Sequence, residues 1–443
     1  MGREVINIIG GGTPKRSEEK YWNGNIPWLS VADFNNDLRF VSSSAEYITE
    51  LGLSQSSTKL LKRGDLIISA RGTVGCLAQL DKPMAFNQSC YGLNGKENII
   101  DNGFLYYFLK NNIKELKQKT HGAVFDTITR DTFEYIEIYY PDIKRQKEIA
   151  EILEDYDQKI QLNTQINQTL EQIAQTIFKS WFIDFDPVHA KANALANGQT
   201  LEQATQAAMA VISGKNTQEL HRLQTANPEQ YQQLWEIAEA FPSGFSGYKN
   251  LGEIPIGWNV LTFKDFISES KEKVGSLEDV PEYSVGNEGI YPRSEKYNKS
   301  LSKTPEKNKV VRIGDLVFGM GSKTLNWGIM NDEIGSVSPA YFVYRIFTNI
   351  NYIYLNKYIK AKEYDFQNLI KPTSRQGQSV DKEMFLKKEI YVPNEYLLDI
   401  YLNKLKEIDS LVYSYTTEVL ILEQIRDELL PKLLSGEVFD ERT

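Results

Sequence analysis

Residues 63–75 read RGDLIISARGTVG, a short apolar run of strand character boxed in by glycines and charges. Its opening phrase returns about 250 residues later, where Gly64-Asp65-Leu66 recurs as Gly314-Asp315-Leu316 in IGDLVFGMGSKTL (313–325). The flanks follow in the same order. NQSCYGL (87–93) comes after the first copy and SPAYFVYR (338–345) after the second, each a strand-like alternation with a polar lead-in. Further on, HGAVFDTITRDTFEYIEIYYP (121–141) faces SRQGQSVDKEMFLKKEIYVP (374–393), and both stop at a proline, Pro141 or Pro393. A period of this length marks a duplicated domain, not a solenoid repeat.

Each proline is followed by a heptad seam. From Lys144 to Trp181 there is neither Gly nor Pro, and apolar residues fall at Ile149, Leu153, Tyr156, Ile160, Leu170, Ala174, Ile177 and Trp181, with Asn163 and Asn167 at the two turns between. After Pro393 the seam returns at Leu398, Tyr401, Leu405, Ile408, Val412, Tyr415, Val419, Leu422, Leu429 and Leu433, broken only at Arg426. Two such seams in one chain predict an antiparallel helix pair, with the two asparagines setting its register. At 1.5 Å per residue the first helix would be about 57 Å long, a spacer bar between two domains. Residues 184–250 are Ala- and Gln-rich (LEQATQAAMAVI, PEQYQQLWEIAEAF) and end in PSGFSG. This stretch reads as a helical connector with Trp235 and Phe241 as buried anchors.

The chain has 443 residues, and its length fits about three domains. No apolar run approaches the roughly 18 residues of a membrane helix, and the N-terminal stretch lacks a secretory apolar core. Its only cysteines, Cys76 and Cys90, suit structural free thiols in a reducing cytoplasm. Net charge is −9, yet residues 1–142 hold 16 Lys and Arg against 17 Asp and Glu, and 251–395 hold 20 against 19. The acidity therefore belongs to the helices and the connector, and the near-neutral repeated domains remain free to present a basic groove.

Two stretches have the mixture of cations, aromatics and small polar residues that suits a nucleic-acid surface. In the first copy, GGGTPKRSEEKYWNGNIPWL (10–29) combines a tight turn with Lys15, Arg16, Lys20, Tyr21 and Asn23. Arg71, Thr73 and Arg130 join these from other polar loops of the first copy. The second copy offers YPRSEKYNKSLSKTPEKNKVVRIGD (291–315), with Arg293, Lys296 and Lys299, together with Lys323, Asn326, Arg375, Gln376 and Gln378. Catalytic constellations are missing. His121, His189 and His221 stand apart from one another and from metal-ligand partners, and GMGSKT (319–324) lacks the spacing of a phosphate loop. Asp184-Phe185-Asp186-Pro187 has Val188 where an amino-methyltransferase motif needs a second proline.

The order of domain, long helix, domain, long helix resembles the specificity subunit of a type I restriction-modification system. The residues that carry this are GGGTP (10–14), YWNGNIPW (21–28), RGDLIISARGTVG, RQKEIAEIL (145–153), WFIDFDPVHAKA (181–192), LGEIPIGW (251–258) and LLPKLLSGEV (429–438), together spanning nearly the whole chain. The resemblance implies a non-catalytic reader of double-stranded DNA that binds a bipartite, asymmetric target. It implies two adenine methyltransferase partners that bring S-adenosylmethionine, and motor nuclease partners that bring ATP and Mg, with no cofactor in this chain. The expected fold is α+β and pseudo-two-fold: two mixed target recognition domains (1–142 and 251–395) separated by antiparallel spacer helices (143–183 and 396–435). The connector (184–250) and a tail (436–443) complete it. A coiled-coil adaptor without DNA contacts, or a fused methyltransferase or nuclease, are the other classes weighed. The first would not need two large Gly- and Tyr-rich domains; the second would need motifs that are absent. Two departures stand out. The first copy lacks most of the lead-in LGEIPIGWNVLTFKDF (251–266), and the second has SVGNEGIYP (284–292) in place of GGGTP, so the copies are expected to read different half-sites.

Overall fold

A computed structural model describes residues 2–36, 38–119, 127–135, 137–248, 251–286, 289–297, 301–319, 326–372 and 378–437. The chain forms two compact units: residues 1–169 with 410–443, and residues 170–409. Each contains a globular α/β domain and a part of both long helices, which run Ile143–Phe182 and Glu395–Ser435, the larger part of each lying in the first unit. Among the described residues, no helix is long and apolar enough to cross a membrane.

The duplication is visible in the sheets. In the first unit the strands Ile6–Gly10, Cys90–Gly95, Leu66–Ser69 and Leu77–Leu80 lie side by side in that order. In the second, Ile267–Glu269, Phe342–Ile346, Leu316–Phe318 and Trp327–Ile329 repeat the order. The shared Gly-Asp-Leu phrase is what turns the chain into the central strand. Gly64 and Gly314 sit at φ +87° and +82°, where a side chain would be strained. The Asp carboxylates accept from the backbone N–H three residues back, Lys62 at 2.8 Å and Arg312 at 2.9 Å. Each Asp also takes a side-chain hydrogen bond from the adjacent strand, from Asn94 in one copy and from Arg345 in the other. The shared Gly-Asp-Leu motif is thus a buried turn of the scaffold.

Strand pairing corrects one sequence expectation. Ile8 faces Leu93 and Glu269 faces Tyr344, while Leu66 and Leu316 face those same partners. Glu269 therefore stands where Ile8 does, and the counterpart of GGGTP is Lys271–Gly275, not 284–292. The latter forms its own hairpin, in which Tyr283–Gly286 pairs with Gly289–Pro292.

In the first unit the helices pair antiparallel. Arg426 Nη1 meets Asp157 Oδ1 at 2.8 Å, Lys159 meets Glu418 at 3.3 Å, and Asn167 Nδ2 donates to Thr416 Oγ1 at 3.0 Å. The second unit holds the other ends, where Phe178, Trp181 and Phe182 pack around Tyr401 with ring centroids 5.0–6.3 Å apart. Of the seam residues, Ile149, Leu153, Leu405 and Ile408 are buried, and Tyr156, Ile160, Leu170, Ile177, Val412, Tyr415, Val419 and Leu422 are half-buried. The apparent break at Arg426 is an ion pair, since its buried partner Asp157 replaces an apolar contact. Asn163 is fully buried, and among the described residues neither of its polar atoms has a partner.

The connector folds into four short helices, Asp186–Ala196, Leu201–Ser213, Thr217–Ala226 and Pro228–Glu239. WFIDFDPVHAKA makes its first bend: Phe185 adopts φ +55° and Pro187 opens the helix. Buried Lys191 then caps the last helix by donating to the carbonyls of Ala238 and Phe241 at 2.9 and 2.7 Å. Phe241 packs edge-on against Trp181, whereas Trp235 is half-buried beside Tyr231.

Candidate functional site

At one end of the first unit's main sheet, four chain segments meet. The glycine loop leaves the strand Ile6–Gly10 and lies directly on the turn that follows Phe86. A Cβ added to Gly11 would come within 2.0 Å of the Asn87 carbonyl oxygen, and one added to Gly12 within 2.2 Å of Ser57 Oγ. Only glycine permits this approach. Gly12 N–H donates to Phe86 O at 3.0 Å, and Trp28 Nε1 donates to Gly12 O at 3.0 Å. Thr13 is thereby placed so that its hydroxyl donates to Gln88 Oε1. Ser89 O accepts from the N–H groups of Ala70 and Arg71, and Ala70 O accepts from Ile128 N–H at 3.0 Å. Arg130, two residues on, reaches the glycine loop: its Nη2 lies 3.2 Å from a Cβ built on Gly10.

The structure thus brings Arg71, Thr73 and Arg130 together with Thr13, Gln88 and Ser89. Arg71, Thr73, Gln88 and Arg130 are exposed, and among the described residues no carboxylate pairs with either arginine.

The cations of the following stretch are differently placed. Arg16 forms a bidentate pair with Glu46 and lies 4.0 Å over the Trp22 ring. That hydrogen bond holds the Glu46 carboxyl below its ordinary range and the guanidinium above its own. Glu18 pairs with both Lys15 (3.3 Å) and Lys20 (3.7 Å), whose ammonium also lies 5.6 Å from the Tyr21 ring. Asn23 sits at φ +59° in an irregular stretch of the strand Trp22–Leu29. These five residues form a polar strip whose charge is largely balanced internally.

In the second unit, Arg293 stacks 4.3 Å over Tyr297 and donates to Ser284 Oγ at 3.1 Å, while Lys296 lies 4.3 Å over Tyr291. Burial and the hydrogen bond with Tyr297 push the Tyr291 phenol upward. Asn326 closes the hairpin after Phe318 by accepting from Gly319 N–H at 2.8 Å. Lys299, Lys323, Arg375 and Gln376 lie outside the described residues. Gln378 opens a strand opposite Pro372, its side chain likewise outside them. Glu272, at the counterpart of Gly11, binds Arg312 and Arg345 and is held down at about 2 by those guanidiniums.

Comparison with known proteins places the sequence in a family. The family model for the type I restriction modification DNA specificity domain matches residues 3–172. The HindI specificity subunit of Haemophilus influenzae is 30% identical over 448 residues, covering 94% of each chain. The chain belongs to the specificity subunits of type I restriction-modification systems. The MjaIX specificity subunit of Methanocaldococcus jannaschii is 23% identical, covering 98% of this chain and 92% of its own. A crystal structure of the S subunit from M. genitalium aligns over 97% of this chain and 94% of that one, with TM-score 0.48 and 13% identity.

Within this specificity subunit, sequence reasoning missed Thr13, Gln88 and Ser89. NQSCYGL was read only as the approach to a strand, yet its Asn-Gln-Ser lead is a turn, with Ser89 N–H donating to Asn87 Oδ1 at 3.0 Å. A glycine run too tight for side chains was the signal that some backbone must pack against it.

Proposed function

We propose that this specificity subunit reads a split, asymmetric target in duplex DNA and performs no reaction itself. Each globular domain takes one half-site, and the long helices set the unread gap. The observation that carries this reading is a four-strand order built twice, with different side chains at the equivalent end of each copy. A duplicated scaffold with divergent surfaces suits two unlike half-sites. A helix of 40 residues is about 60 Å long, more than the roughly 34 Å of one DNA turn, which is the length a gapped target asks for.

Arg71 and Arg130 would bind phosphates and fix the register of the first domain, while loop polar groups meet base edges. The family resemblance supplies the rest of the proposal. Two adenine methyltransferase subunits dock on the helices and bring S-adenosylmethionine, motor nuclease subunits bring ATP and Mg, and the assembly works in the cytoplasm.

The test is methylome sequencing of a host that expresses this chain with its methyltransferase. The expected result is a two-part motif with modified adenine in each half and a fixed gap. A continuous motif would overturn the split reading, methylation by this chain alone would overturn its non-catalytic role, and assembly indifferent to DNA would leave an adaptor.

A further inference from the structure

The Thr13–Gln88 pair is not something the fold requires. Counting along the paired strands, Thr13 stands five residues beyond Ile8 and Gln88 five before Leu93. The same counts from Glu269 and Tyr344 give Val274 and Pro339. The turn itself is conserved between the copies. Ser338 Oγ accepts from Ala340 N–H as Asn87 Oδ1 does from Ser89, and Tyr341 N–H bonds to Ser338 O as Cys90 N–H does to Asn87 O. The second copy therefore builds this turn with neither partner of the hydrogen bond.

We infer that Gln88 is a base-reading, specificity-determining residue of the first half-site, with Thr13 as its positioning residue; this rests on the DNA-reading function proposed above. A glutamine amide has two donors on Nε2 and two lone pairs on Oε1. Thr13 occupies one lone pair, which fixes the amide plane and leaves both donors and one acceptor facing solvent. The glycine loop beneath it is packed at backbone contact, so little order remains to be imposed on binding. Exposed Arg71 and Arg130, neither with a carboxylate partner among the described residues, flank it as phosphate anchors. One donor beside one acceptor matches the N7 and N6 edge of adenine in the major groove, whereas guanine offers two acceptors there. Gln88 thus selects adenine at one position.

The experiment uses the complex of this chain with its methyltransferase and selection from randomised duplex DNA. For the unaltered protein, one half-site should contain an adenine whose replacement weakens binding by at least about fivefold. Gln88→Ala should abolish the preference at that position alone, leaving the other half-site intact. Gln88→Arg should move it toward guanine and Gln88→Glu toward cytosine, as their hydrogen-bonding groups dictate. Thr13→Val should blunt the adenine preference without redirecting it, the mark of a positioning role. An unchanged motif in Gln88→Ala, or an equal loss for every sequence, overturns the inference while the DNA-reading function stands. If the unaltered complex shows no sequence preference in either half, the proposed function fails and this inference with it.

Discussion

Asp157 sits where the first globular domain meets both long helices, and its replacement should loosen that unit alone. Its Oδ2 accepts from the Tyr107 hydroxyl at 2.6 Å and its Oδ1 from Arg426 Nη1 at 2.8 Å. Tyr107 accepts in turn from Arg39 at 2.9 Å, and Arg39 directs its other donors to Gln79 at 2.8 and 3.0 Å and to Glu154 at 3.2 Å. Asp157 is 9% exposed and Arg39 6%. Burial, and then the Asp157 charge, hold the Tyr107 phenol well above its ordinary range, so it remains a donor. Asp157→Ala leaves the Tyr107 phenol buried without its acceptor and leaves the Arg426 guanidinium only the exposed Asp427, 2.8 Å away. Breaking a buried pair from one side costs about 3–5 kcal/mol, a large share of the ~5–15 kcal/mol that holds a domain together. Pairing Asp157→Leu with Arg426→Met removes both charges, and the cost should fall to about 1–2 kcal/mol. A chain with two compact units need not melt in one transition, so native-state hydrogen exchange is the assay. Amides in the helix Asn102–Lys119 should exchange about 100-fold faster or more in Asp157→Ala, those in Tyr352–Ala361 should not change, and the double variant should recover most of the protection. Equal acceleration of both helices, or a change of less than about fivefold, would refute this account of how the domain is held.

The Glu272 carboxylate, lowered to about 2 by Arg312 and Arg345, contributes stability above its ordinary 4.5 and loses it as pH falls toward 2. Glu272→Gln should remove that segment of an acid titration followed by near-ultraviolet circular dichroism; identical curves would show the cluster to be inert. Asn163, buried without a partner among the described residues, should give way to leucine with a gain of about 1–3 kcal/mol in urea unfolding, and a loss would mean that its amide is satisfied in solution. Arg71→Ala and Arg130→Ala should each reduce the slope of log affinity against log salt by about 0.9, while Lys15→Ala, already paired with Glu18, should change it less. The same titration should find the isolated chain weaker than its methyltransferase complex, and equal affinities would discard that division of labour.

The duplication and the two helices were legible because their signals are local. Gly-Asp-Leu needs four residues to make its turn, and a heptad is scored one turn at a time. Long-range partners were not legible. Arg426 read as a fault in an apolar seam because Asp157 lies 269 residues away. Arg16 read as free for DNA because Glu46, 30 residues on, shows no sign in sequence of folding back onto it. GGGTP has no glycine counterpart to align with, because the second copy has Lys271, Glu272 and Lys273 at those positions. A residue that replaces a backbone contact with an ion pair leaves no motif to align. Gln88 escaped for a related reason: an exposed amide at a turn is ordinary until the strand register shows that its twin is proline.

The arrangement of charge bears on how such a reader works. Cations bind DNA non-specifically by releasing condensed counterions, and those already held by carboxylates contribute less to that release. In the first unit Lys15, Arg16, Lys20 and Arg39 are so held, and in the second Arg312, Arg345 and Lys382 are. With each domain within one unit of neutrality in sequence, unspecific attraction is reduced, and Arg71 and Arg130 stand out as cations without a carboxylate partner among the described residues. Weak unspecific attraction is useful to a protein whose task is discrimination. A genome offers on the order of 10⁶–10⁹ competing sites, and what matters against that background is the ratio of specific to non-specific binding. A reader that sequesters its own cations keeps the denominator of that ratio small. On the function proposed above, affinity comes from partner subunits that close on the duplex, and Gln88 in the first domain, with different residues in the second, decides where the complex stops.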